Sequence, residues 1–201
     1  MKLDHLSVLT FLLIISIFAS GCVQQNSSPS VINHEQVIQL PKSNLSTVEL
    51  SELAITVSDL PSNFTIKERS ERVRSDLGQD ALDLGWKKGY YIKYMKIGDN
   101  IFDVTIIEQI ISVYPLENIS KTLTLLRESG ENITYDELSK PNIGENSRAF
   151  RITIKENSEE KRFYKIEFSK MDVYEAILMS GTTTDYELLK ELAKKAEIKI
   201  R

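Results

Sequence analysis

One cysteine and two histidines are all that the 201 residues contain, and none of them lies in the part of the chain built to fold. His5 and Cys22 fall in the N-terminal segment and His34 in a polar stretch behind it. From residue 47 onward there is no thiol and no imidazole. That excludes Ser-His-Asp and Cys-His nucleophilic sites, zinc sites of Cys or His type, and histidine acid–base chemistry. Catalysis there would have to rest on carboxylates, Lys, Tyr or Ser. Disulfides are excluded as well, so stability must come from a packed core. An excess of positive charge is also missing: 25 Lys and Arg against 29 Asp and Glu give a net charge of −4. Nucleic-acid binding is dominated by basic contacts to phosphate, so no nucleic-acid partner is expected. No residue pattern calls for a cofactor.

What is present begins with "MKLDHLSVLTFLLIISIFASGC". Lys2 and the free amine give a positive start, Leu6 to Ala19 is apolar, and small residues follow at Ala19, Ser20 and Gly21, the three parts of a secretory signal. As a helix, Leu6–Ala19 reaches about 21 Å at about 1.5 Å per residue. A hydrocarbon core is about 30 Å thick, so the run is short for a permanent span. Counting on to Val23 lengthens it, which leaves an uncleaved anchor as the alternative.

The tetrad "ASGC" resembles the lipobox of bacterial and archaeal lipoproteins, in which small residues precede a cysteine that is lipidated and becomes the first residue. The family prefers Leu where this chain has Ala19. The resemblance covers about the first 22 residues and implies export and a lipid on Cys22. One acyl chain binds a membrane only marginally, and the two or more chains of a lipoprotein hold stably. The expected location is therefore the outer face of the cell membrane.

Residues 23 to about 46 are rich in Ser, Asn, Gln and Pro without a sustained period, and read as a flexible tether. Residues 47–201 are left as a single domain, long enough to bury about 68–70% of its unfolded surface. "ELAITVSDLPSNFTIKERS" reads as two short strands broken at Asp59–Asn63. "SDLGQDALDLGW" reads as a helix with Ser75 as N-cap, Gly85 as its stop, and Leu77, Ala81 and Leu84 on one face. "KGYYIKYMKI" and "IFDVTIIEQIISVYP" form a hairpin across Gly98-Asp99-Asn100. In its second strand the apolar parity changes, so either both faces are buried or a bulge near Glu108-Gln109 resets the register. Pro115 opens a helix with Leu116, Ile119, Leu123 and Leu126 as its buried stripe. "RAFRITIKE", "KRFYKIEFSK" and "VYEAILMSG" form an antiparallel meander, and a last helix starts from a capping box, Thr184 to Glu187.

The predicted class is α+β: an antiparallel sheet of about seven strands with three helices packed on it, as an αβ or α/β/α sandwich. In element order alone it is similar to the Mog1/PsbP-like α/β/α sandwiches of small exported proteins. That resemblance implies a fold and no function.

Three constellations have chemical content. Asp76, Asp80 and Asp83 fall on one side of the first predicted helix, where a hard cation such as Ca²⁺ would relieve their repulsion. The competing reading is a solvated face eased by Arg72 and Arg74, and we adopt it. Trp86, Tyr90, Tyr91 and Tyr94 are interleaved with lysines, as in a platform for a polysaccharide or protein. Aromatic residues also pack half-buried strands, and alternation leaves at most half of these rings on the surface. Finally, five of the ten asparagines, Asn26, Asn44, Asn63, Asn118 and Asn132, head Asn-X-Ser/Thr sequons at turns, tether or an exposed helix face. The sequence thus reads as an exported lipoprotein and candidate glycoprotein. Its domain is expected to bind an envelope protein or polysaccharide without catalysis. Two alternatives stand: a carboxylate-dependent glycan hydrolase drawing on Glu108, Asp103 or Asp76, and a small-molecule or lipid carrier with an apolar cavity between sheet and helices.

Overall fold

A computed structural model describes residues 48–100, 102–125, 132–156 and 159–201. The signal, Cys22, the tether, Asn26, Asn44 and Leu126 lie outside the described residues. Among the described residues, seven strands make one antiparallel sheet: β1 (Thr65–Arg72), β2 (Lys88–Ile97), β3 (Val104–Val113), β4 (Ile133–Glu137), β5 (Asn146–Glu156), β6 (Glu159–Lys170) and β7 (Val173–Gly181). The spatial order is β1-β2-β3-β7-β6-β5-β4. Two meanders, β1 to β3 and β4 to β7, meet where β7 pairs with β3. The described α-helices are four rather than three: α1 (Leu50–Leu53), α2 (Gln79–Asp83), α3 (Ile119–Thr122) and α4 (Tyr186–Lys199).

Side-chain alternation gives the sheet two unlike faces. One carries Tyr94, Ile107, Met179, Ile177, Ile166 and Phe168, all 0–1% exposed. Leu189, Leu192, Ala193 and Ala196 of α4 pack onto it, along with Ile200 just beyond the helix. This face is the main core. The helix begins one residue later than its sequence suggests. Asp185, not Thr184, is the N-cap, and its carboxylate accepts from Glu187 N–H at 2.9 Å and Leu188 N–H at 3.1 Å. Asp185→Ala is expected to cost about 1 kcal/mol, and Thr184→Ala little, in urea unfolding midpoints.

The largest departure from expectation is the segment before β1. "ELAITV" is not a strand. It is a strap: α1, an extended stretch through Ile55, and a 3₁₀ turn at Val57–Asp59. It lies over the core face beside α4, with Leu50, Leu53, Ile55, Leu60 and Phe64 buried. Its backbone bonds go to side chains instead of a ladder. Ile55 N–H donates to Gln109 Oε1 at 2.8 Å, and the Tyr94 hydroxyl donates to Ile55 O. From α4, Lys199 Nζ reaches Ala54 O at 2.7 Å and Asp59 Oδ2 at 3.0 Å, while Lys195 Nζ reaches Asp59 O at 2.6 Å.

Other boundaries move for local reasons. Ser75 sits in a 3₁₀ turn, Arg74–Asp76, and α2 starts only after Gly78. Gly85 does end that region, at φ +81°. Pro115 does not open a helix: α3 begins at Ile119, and Leu116 is exposed. β3 keeps one unbroken register with both neighbours from Thr105 to Val113, so its parity change reflects burial on both faces. The bulge lies instead in β1, between Ile66 and Glu68.

Candidate functional site

Among the described residues, the second face of the sheet is only partly covered. At one end Trp86, Tyr114 and Ile119 form a small core with Leu77, Leu84 and Tyr174, seated by α2 and α3. Across the middle, Tyr91, Lys93, Glu108 and Leu178 of β2, β3 and β7 remain half-buried, while Phe150, Phe163 and Glu167 of β5 and β6 are buried. Strand register aligns Lys93, Glu108, Leu178, Lys165, Phe150 and Glu137 in one row across six strands.

The charges in and beside that row are paired. Lys93 Nζ stands 3.6 Å from Glu108 Oε1, to which the Tyr91 hydroxyl donates at 2.5 Å. Lys165 Nζ lies 2.7 Å from Oε1 of Glu167, which also accepts from the Tyr174 hydroxyl at 2.8 Å. Arg148 grips Glu137 through Nε at 3.0 Å and Nη2 at 3.2 Å, donates to Leu123 O at 2.7 Å, and sits 4.8 Å over the Phe150 ring. Beside Arg148 the surface dips into a groove of ≈ 450 Å³ lined by Leu123, Glu137, Leu138, Lys140 and Asn146, among others. Burial, and then the hydrogen bond to the Glu108 carboxylate, push the Tyr91 phenol well above its usual range. It is a neutral donor. With Met95, Ile106, Ile110 and Leu178 half-exposed around them, these groups make a surface that offers apolar contact and fixed donors and acceptors together. Such a surface suits recognition.

Carboxylate chemistry gets no comparable support from the three acids named for it. Asp103 precedes Glu108 by five residues, or about 16 Å along the strand, beyond the about 5–9.5 Å that a catalytic pair needs. Asp103 is held at the hairpin end by the Thr182 hydroxyl, 2.6 Å away. Asp76 lies past Arg72, whose partner Gly89 is four residues, about 13 Å, from the Lys93 that faces Glu108.

The comparisons with known proteins bear on the fold. No family model matches, and no curated protein does. Among solved structures, the extracellular domain of PknH from Mycobacterium tuberculosis matches with a TM-score of 0.53 at 11% identity, over 73% of this chain and 93% of that one. An uncharacterised protein of Mycobacterium smegmatis, the Rv0999 ortholog, matches with a TM-score of 0.47 at 11% identity, over 76% and 96%. At that identity the likeness to PknH is one of fold.

The residues proposed from sequence fare unevenly. Trp86, Tyr90 and Tyr94 are 6%, 9% and 0% exposed and serve the cores, so the aromatic platform is not formed. Tyr91 alone of the four stays half-buried, on the open side. Asp76, Asp80 and Asp83 do not share a helix. Asp76 accepts from Val73 N–H and Asp83 from Gln79, and among the described residues no three acidic, His or Cys groups gather as a metal site. Asn63 and Asn132 are exposed, as a glycan requires, but Asn118 is half-buried and its amide donates to Leu84 O at 3.2 Å. Lys165, Glu167, Arg148 and Glu137 were not singled out from sequence. A signal existed for the first two: in "RFYKIEFSK" strict alternation sets Lys165 and Glu167 opposite Tyr164, Ile166 and Phe168. Lys165, half-buried mid-strand, lies where the surface is partly open, whereas Glu167 is buried and held by Lys165 and Tyr174.

Proposed function

We propose that this protein is a lipid-anchored, extracytoplasmic, non-catalytic domain that binds an envelope protein or polysaccharide through the open face of its sheet. The carrying observation is the half-buried stretch from Lys93 through Glu108 and Leu178 to Lys165, in which each charge is paired and apolar side chains stand between. The export signal and lipobox support the location, as does a fold shared with a domain that is extracellular in PknH. A carrier role has less to draw on, because Tyr94, Ile107, Phe168 and Leu192 fill the space between sheet and α4 at 0% exposure.

Two measurements test the two halves of this reading. The intact mass of protein extracted from membranes should begin at Cys22 with added lipid; an unprocessed mass would overturn the anchor. Hydroxyl-radical labelling should show Tyr91 and Leu178 protected in native membranes relative to purified protein. Ile198, 60% exposed on α4, should label equally in both. Equal labelling of all three would overturn the binding face.

A further inference from the structure

Among the described residues, β1 is an edge of the sheet with its side chains largely uncovered. Seven of its eight residues are exposed, on both faces of the sheet, and only Arg72 is half-buried. Its ladder with β2 is regular from Glu68 to Arg72, beyond the bulge. Charges elsewhere on the sheet find partners within the chain, as Lys93, Lys165, Arg148 and Arg151 do. Among the described residues, Lys67, Glu68, Arg69 and Glu71 have no ion-pair partner.

Charged edge strands ordinarily prevent pairing between molecules, because docking would strand or oppose like charges. The order of charges in "TIKERSER" does the reverse in one register. With two copies antiparallel and Ser70 opposite itself, Glu68 faces Arg72 and Arg69 faces Glu71, twice each. No like charges meet. Sliding the pairing by one residue either way sets Arg69 against Arg72, or Lys67 against Arg72 and Glu68 against Glu71. A slide by two sets Arg69 or Glu71 against its own copy. Arg72 is partly engaged already, donating to Asp76 O at 3.2 Å, so the Arg69–Glu71 pairs bear most of the selection.

We infer that β1 is a self-association edge, where two copies of this chain pair antiparallel about a two-fold axis at Ser70 and join their sheets into one. The interface is isologous, as closed dimers require, and its specificity lies in cross-strand ion pairs. It uses the edge of the sheet and leaves the open face free, so it stands or falls apart from the binding reading.

The test uses the full chain, in which Cys22 is the only native thiol. Facing Cα atoms in an antiparallel pair are about 4.5–5.5 Å apart, within the span of a disulfide. Under mild oxidation Ser70→Cys should give a covalent dimer at least about tenfold faster than Ser62→Cys, an exposed position off the strand. In that background Arg69→Glu alone or Glu71→Arg alone should abolish the dimer. A mixture of the two should restore it as a mixed dimer, since only unlike copies then oppose unlike charges. Cross-linking no faster than at Ser62, or indifferent to the charge swaps, would overturn the proposal. If Ser70→Cys fails to fold, sedimentation of the two charge variants, separately and mixed, decides the matter by the same pattern.

Discussion

Raising the pH from about 4.5 to about 8 is expected to remove about 4–5 kcal/mol of stability through one residue, Glu175. Its side chain is 0% exposed on the core face of β7. One oxygen accepts from Gln109 Nε2 at 2.8 Å, and the other has no hydrogen-bond partner among the described residues. Burial disfavours the carboxylate and raises the pKa to about 8, against the weaker pull of the Gln109 bond and the Lys199 charge. Flanking strands set Ile111 and Phe168 beside it, neither of which can stabilise a charge.

Between the unfolded value of 4.5 and the folded value of about 8, the folded state holds a proton that the unfolded state has released. The contribution is full below pH 4.5, shrinks as pH rises, and is gone above about 8. Asp59 acts oppositely and elsewhere. Burial pushes its pKa up, but the Thr56 N–H and hydroxyl and the Lys199 ammonium prevail and hold it at about 2. Its contribution is present above 3.8 and lost as pH falls towards 2, so the two windows do not overlap. Glu175→Gln stays neutral and should flatten the upper limb, overtaking the parent protein above neutral pH. Urea unfolding at several pH values from 5 to 9 decides this: parallel curves for parent and variant would remove Glu175 from the account.

The sequence was most legible where a strand obeys one periodicity and its partner is its neighbour. β2, β3 and the β5–β7 meander follow from alternation and short turns, and so does the antiparallel sheet. The total of seven strands agrees only because two differences offset: "ELAITV" has the pattern of a strand and is not one, while Ile133–Glu137 is a strand that its residues do not announce. The first has strand-like residues, but Ile55 finds its partners in Tyr94 and Gln109, 39 and 54 positions away, which no local pattern announces. The second is a short, mostly polar edge. The aromatic cluster misled for a related reason. Trp86 and Tyr94 have polar tips suited to a surface, yet Tyr94 spends its hydroxyl on the strap and Trp86 packs with Tyr114 under α2 and α3. What makes the open face a candidate is that few of the described residues cover it, and cover is decided by where α4, the strap, α2 and α3 settle in three dimensions.

Gln109 holds that settlement together, and Gln109→Leu is expected to cost about 3–5 kcal/mol. At 0% exposure in β3 it bonds both the strap and the buried acid, accepting from Ile55 N–H and donating to Glu175. Leucine fills similar volume, so little of the loss is cavity. It arises because two polar groups remain buried without their partner, at about 1–3 kcal/mol each. Gln109→Glu would keep an acceptor for Ile55 but set two carboxyls together, one of them forced to stay protonated. Adding Glu175→Leu to Gln109→Leu removes one of the two stranded groups, so the double variant should recover roughly half the loss, a coupling that independent sites would not show. Hydrogen exchange separates the local effect from the global one. The Ile55 amide should lose protection in Gln109→Leu by more than the drop in global stability explains, while amides of β7 follow that drop alone. A cost below about 1 kcal/mol, with Ile55 still protected, would mean that the strap is held by Leu53, Leu60 and Phe64 packing and not by its polar latch.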